Sequence, residues 1–111
     1  MNKGDIVLVR FPFTDLTTEK LRPALVIAPD NSTGDVILVF ITAQIDKEEI
    51  YDVLITSKDP NFSKTGLKKD SIIKTNKLAT LNKRIIIGKI GTSSAKTITE
   101  VNKSLRKILD L

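Results

Sequence analysis

Two β-branched runs near the start, residues 6–9 (IVLV) and 24–27 (ALVI), constrain the fold more than any other feature. Phe11-Pro12-Phe13 and the polar loop 14–20 separate them. Proline has no amide to donate to a β-ladder, so Pro12 ends the first run as a strand. Pro23 stands at the entry of the second run, fixes its own φ and pushes Arg22 towards an extended conformation. The spacing predicts that Arg22 projects from the mouth of a strand, not from its buried middle. A guanidinium there, beside a polar loop, can receive a phosphate; a plain surface arginine before a proline fits the same pattern.

The rest of the chain is mostly strand as well. Apolar and β-branched runs predict strands at 5–11, 24–28, 36–41, 51–55, 70–75 and 84–90. The turn cluster 29–34 (PDNSTG) predicts a hairpin between the second and third strands, and 56–65 reads as a longer polar loop. The unbroken run 36–41 (VILVFI) predicts a strand buried on both faces, as in a small closed barrel or at a dimer interface. From Ser94 the period changes: Ile98, Val101, Leu105, Ile108 and Leu109 form one helical stripe. Ser93 or Ser94 can cap that helix, with Thr97-x-x-Glu100 as a second possible capping box. The stripe reads as core.

A chain of 111 residues supports one core, so a single domain over 1–111 is expected. It has no cysteine, which rules out disulfides and thiolate metal sites and fits a reducing cytoplasm. No leader-like apolar segment and no membrane-length run is seen, so no membrane partner is expected. Net charge is +5, and its distribution is uneven. Residues 64–90 carry Lys64, Lys68, Lys69, Lys74, Lys77, Lys83, Arg84 and Lys89 against the single acid Asp70, whereas 35–63 is acidic. Such segregation can present a positive face to a polyanion.

There is no histidine, which excludes paired-imidazole ribonuclease chemistry, a Ser-His-Asp triad and histidine metal sites. Asp46, Glu48, Glu49 and Asp52 lack the alternation of a calcium loop, and no glycine-rich phosphate loop is present, so neither a metal nor a cofactor is expected. The remaining chemistry belongs to arginine, lysines, hydroxyls and amides.

GDIVLVRFPFTD (residues 4–15), LRPALVIA (21–28), a strand ending in Ile41-Thr42, and Gly66-Leu67 followed by Ser71 together resemble the MazF/PemK toxin family. The resemblance covers nearly the whole chain. It implies a mainly β fold with a C-terminal helix, a small SH3-like barrel of the MazF/PemK/CcdB type. It also implies the toxin of a type II toxin–antitoxin module: a metal-independent, sequence-selective endoribonuclease acting on single-stranded RNA. Attack by the 2′-hydroxyl would leave a 2′,3′-cyclic phosphate and a 5′-hydroxyl. Implied partners are a second copy of the chain and an acidic cognate antitoxin, the complex of the two binding DNA.

By the same resemblance Arg22 and Thr42 match the family's catalytic arginine and threonine. A guanidinium that stays protonated is a poor proton shuttle, so Arg22 is assigned to stabilising the phosphorane. An RNA-binding surface is expected from Phe13, Thr14, Lys20, Gln44, Lys68, Lys69, Lys74, Asn76 and Lys77. Three departures stand out, the first being Ala43 after Thr42 where many members have Thr-Ser. Lys74 and Asn76 occupy positions where some members carry an arginine and an aspartate that contribute to cleavage. Lysine lacks the two-pronged fork and asparagine cannot act as a base. Two other readings remain at this level: a binding barrel with weak or lost catalysis, and a gyrase poison of the CcdB kind, which shares the fold.

Overall fold

The computed structural model describes residues 1–12, 19–29 and 32–111. Strands β1 (Asp5–Pro12), β2 (Glu19–Ala28), β3 (Asp35–Thr42), β4 (Val53–Ile55), β5 (Ser71–Asn82) and β6 (Ile86–Thr92) precede helix α1 (Ala95–Leu109). All pairings are antiparallel, in the order β4-β5-β3-β2-β1-β6. The hairpin expected between the second and third strands is present as the β2–β3 pair.

The sheet is buried on both faces. Ile6, Leu25, Val39, Ile41 and Ile73 pack with Val101 and Leu105 of α1. Val7, Val9, Ala24, Val26, Val36 and Leu38 form a second cluster, joined by Phe40, Leu81, Ile85 and Ile86. Alternate residues of β3 therefore enter clusters on opposite faces, so the single core expected of this length is divided in two by the sheet, and the run lacks polar alternation. Both clusters close within one chain, so the apolar run does not by itself require a second copy. Ser94 caps α1, its Oγ accepting from Thr97 N at 3.1 Å; the Thr97-x-x-Glu100 box is not used, and Thr97 is buried inside the first turn.

Four strands depart from expectation, β2 and β5 in ways that shape the site. β2 begins at Glu19 instead of residue 24, because β1 continues through Pro12 and supplies it with a partner, Arg22 lying opposite Val9. Arg22 is thus inside a strand and not at its mouth. Pairing of β2 with β3 starts only at Ala24–Phe40, so Pro23 sits where no donor to β3 is needed. β5 runs on to Asn82, but its register against β3 jumps from Phe40–Lys74 to Val39–Leu78, leaving residues 75–77 outside the ladder. β4 is only three residues long, and β6 starts at Ile86 after a short 3-10 turn at Lys83–Ile85.

Another 3-10 turn, Phe62–Thr65, lies flat against β6. It ends at Gly66 with φ +73°, and a Cβ there would overlap the carbonyl of Ile90. Gly91 is equally tight, since a Cβ would meet the Lys64 and Thr65 backbone. Only glycines allow this approach, which delivers residues 67–71 to one end of the sheet.

Candidate active site

β2 extends beyond the β2–β3 ladder, and β3 finishes at Thr42. The ends diverge and leave a cleft of about 450 Å³ between them, closed on the far side by residues 67–71. Lys20, Leu21, Arg22 and Pro23 form one wall; Ile41, Thr42, Ala43 and Gln44 form another; Leu67, Lys68, Lys69 and Ser71 complete it. Lys20, Arg22, Lys68 and Lys69 thus gather from two segments far apart in sequence. Among the described lining residues there is no carboxylate. Nor do three acidic side chains anywhere among the described residues stand close enough to hold a metal ion.

Local bonds hold this frame. Arg22 is half-buried, its Nε is shielded from solvent, and it contributes to the cleft wall. The Thr42 Oγ1 accepts from Gln44 N at 3.2 Å, which fixes the side chain while leaving its own O–H to donate. Ser71 is buried, and its Oγ donates to the Lys69 carbonyl at 2.8 Å; it shapes the turn that carries the lysines and is not a nucleophile. Thr65 Oγ1 donates to the Phe62 carbonyl at 2.6 Å and accepts from Leu67 N at 3.1 Å. Asp70 Oδ1 accepts from Ser57 N at 2.7 Å. A cleft so lined attracts an anion and can grip one phosphate with a guanidinium and a hydroxyl together.

Of the residues expected from sequence, Lys20, Arg22, Thr42, Gln44, Lys68 and Lys69 meet in the cleft. Phe13 and Thr14 lie outside the described residues. Asn76 and Lys77 are exposed on the stretch of β5 that leaves the ladder, and they do not line the cleft. Lys74 corrects the expectation more sharply. Its Nζ is 2.6 Å from Glu49 Oε1 and 2.8 Å from Asp52 Oδ2, with its side chain only 13% exposed. Burial alone would lower the Lys74 pKa, but hydrogen bonds and charge from Asp52 and Glu49 outweigh it and raise the value. One cation between two carboxylates does not attract a phosphate. Leu21 and Leu67, the apolar walls, were not anticipated; an exposed leucine flanked by lysine and arginine was the available sign.

The family model described as PemK-like, MazF-like toxin of type II toxin–antitoxin system matches residues 2–109. Endoribonuclease MazF6 of Mycobacterium tuberculosis (strain ATCC 25618 / H37Rv) is 29% identical over 92 residues, covering 83% of this chain and 81% of that protein. Among solved structures, MazE–MazF (Form-II) from Deinococcus radiodurans superposes with a TM-score of 0.81 at 19% identity, over 100% of this chain and 96% of that one. An endoribonuclease in complex with its cognate antitoxin from a mycobacterial species superposes with a TM-score of 0.73 at 20% identity, over 98% and 94%. The sheet with its C-terminal helix is therefore the MazF fold.

Proposed function

The chain belongs to the PemK-like, MazF-like toxin family of type II toxin–antitoxin systems, and from that premise we propose that it is an endoribonuclease whose reaction centre is the cation-lined cleft. Its similarity to proteins named as MazF endoribonucleases supports the activity. The observation that carries the location is the meeting of Arg22 and Thr42 with Lys20, Lys68 and Lys69 around one space free of described carboxylates.

RNA carries its own nucleophile. The 2′-oxygen attacks the adjacent phosphorus, the bond to the 5′-oxygen breaks, and a 2′,3′-cyclic phosphate remains. The protein must align the attacking hydroxyl and stabilise the charge that grows on the phosphorane oxygens. Arg22 can hold two of those oxygens through its fork, and the Thr42 hydroxyl can donate to one. Lys20, Lys68 and Lys69 hold the flanking phosphates, and the cleft offers no described carboxylate to carry a divalent cation. Lys74 and Asn76 depart from the family pattern outside the cleft and Ala43 departs from it within, where Arg22, Thr42 and the three lysines remain. This favours an active enzyme over a binding barrel.

Two partners complete the reading. An acidic antitoxin segment blocks the cationic cleft, as charge complementarity favours; the structures to which the fold is similar include an endoribonuclease in complex with its cognate antitoxin. A homodimer in the cytoplasm is the assembly, and light scattering at micromolar concentration checks it. No helix of the described residues is long and apolar enough to cross a membrane. Incubating the purified protein with a long RNA in EDTA, then sequencing the ends, tests the reaction. Cuts bearing 5′-hydroxyls at a recurring sequence support it; an uncut RNA refutes it.

A further inference from the structure

We propose that Lys74 is a positioning residue: it clamps the segment between β3 and β4 onto β5 and so holds Thr42 and Gln44 in the cleft, an inference that rests on the ribonuclease reading above. The segment leaves β3 at Thr42, makes a short 3-10 turn at Ile45–Lys47, and enters β4 at Val53. Near the cleft its bonds are local: Gln44 N to Thr42 Oγ1, Ile45 N to the Ala43 carbonyl and Lys47 N to the Gln44 carbonyl. Its far end is tied to β5. Lys74 Nζ donates to Glu49 Oε1 and Asp52 Oδ2, and the buried Thr75 donates from Oγ1 to the Tyr51 carbonyl at 2.7 Å.

Asp52 organises the same end, its Oδ2 also accepting from Glu49 N at 2.7 Å. The Asp52 side chain is 1% exposed and its Oδ1 is buried with no hydrogen-bond partner among the described residues. Its charge is therefore compensated chiefly by Lys74. Lys74 in turn lies opposite Phe40, two residues before Thr42, where β5 changes register. The clamp thus stands at the root of the loop that furnishes one wall of the cleft. A direct phosphate contact is disfavoured, since Lys74, Glu49 and Asp52 together carry one net negative charge.

The test compares wild type with Lys74→Met, Lys74→Arg and Glu49→Gln on a defined single-stranded RNA, with amide hydrogen exchange read in parallel. Lys74→Met should lower kcat by about 10- to 100-fold, as misplacement of a site does, with KM and the salt dependence of binding unchanged. Residues 44–52 should exchange faster while α1 stays protected, and Lys74→Arg should recover most of the rate and the protection. A raised KM with a salt slope shallower by about 0.7 would make Lys74 a phosphate contact and overturn the proposal. So would a lowered Tm with unchanged kcat at temperatures where both proteins are folded. If Lys74→Met does not fold, Glu49→Gln decides, its carboxylate being 62% exposed. Faster exchange over 44–52 with a lower kcat supports the clamp, and no change in either refutes it. A wild type that cuts no RNA removes the ribonuclease reading, while the exchange arm still decides whether Lys74 holds the loop.

Discussion

The basic segment 64–90 places its lysines in two environments that use charge in opposite ways. Lys68 and Lys69 are exposed, line the cleft with Lys20 and Arg22, and meet no described carboxylate there. Lys74, five residues beyond Lys69, is half-buried between Glu49 and Asp52 and its charge is compensated there. The backbone explains the division. Residues 67–70 connect the 3-10 turn, packed on β6 through Gly66 and Gly91, to the start of β5 at the end of the sheet, whereas Lys74 lies on β5 beside the root of the 43–52 loop. Net charge along a sequence therefore indicates how much positive charge a segment holds, and the fold decides how much of it faces a ligand.

The largest expected effect separates the two environments by chemistry. Arg22→Ala should slow RNA cleavage by about 10²–10³, the loss of roughly 3–4 kcal/mol of transition-state stabilisation from one preorganised donor. Its cost to folding should be about 1 kcal/mol, because the stem is half-buried in β2. Arg22→Lys should recover part of the rate, as one ammonium does not replace a fork. Next in size, Lys74→Met should cost about 3 kcal/mol in urea unfolding, since it strands the buried Asp52 carboxylate. The same substitution should leave RNA affinity unchanged.

That stabilisation has a defined pH dependence. The folded-state Lys74 pKa is raised above the ordinary 10.5, so folding favours the ammonium. Its contribution is fully present below the ordinary value and is lost as pH rises through the raised one. The stability gap between wild type and Lys74→Met should therefore narrow in strong alkali, read by urea unfolding at neutral pH and at about pH 12. A gap that widens there would contradict the ion cluster. Smaller again, Lys68→Ala and Lys69→Ala should each reduce the log–log salt slope of single-stranded RNA binding by about 0.7.

The smallest effect comes from a control elsewhere on the molecule. A second cleft, also about 450 Å³, lies at the start of α1, where Lys58 and Lys96 are accompanied by Asp59 and Glu100. Lys58→Ala and Lys96→Ala should leave the slope unmoved. If they shift it as much as Lys68→Ala does, charge composition has no bearing on where RNA binds.

Six of the residues expected from sequence line one cleft, but their setting differs from the expectation. The family resemblance singles out Thr42 and Arg22, which strand-end position and Pro23 alone leave as ordinary surface residues, and Arg22 lies inside β2. The polar stretch from Glu19 gives no strand signal of its own; its partner is the continuation of β1, and that pairing is a tertiary fact. β5 was cut short at residue 75 for a similar reason, since the stretch that follows re-enters the ladder only after a register jump. Lys74 looked like its neighbouring lysines because Glu49 and Asp52 stand 25 and 22 residues away in the chain. Nothing local marks such a contact. The two-sided burial of β3, in contrast, was visible in its unbroken apolar run.

Lysine footprinting tests the central claim most directly: the extent of acetylation at each lysine, with and without a single-stranded RNA blocked at its 2′-oxygens by methylation. Bound RNA should shield Lys20, Lys68 and Lys69, leave Lys58 and Lys96 as reactive as before, and find Lys74 slow to react in both states. Shielding at Lys58 and Lys96 with Lys68 and Lys69 still fully reactive would place the RNA against α1 and contradict the account.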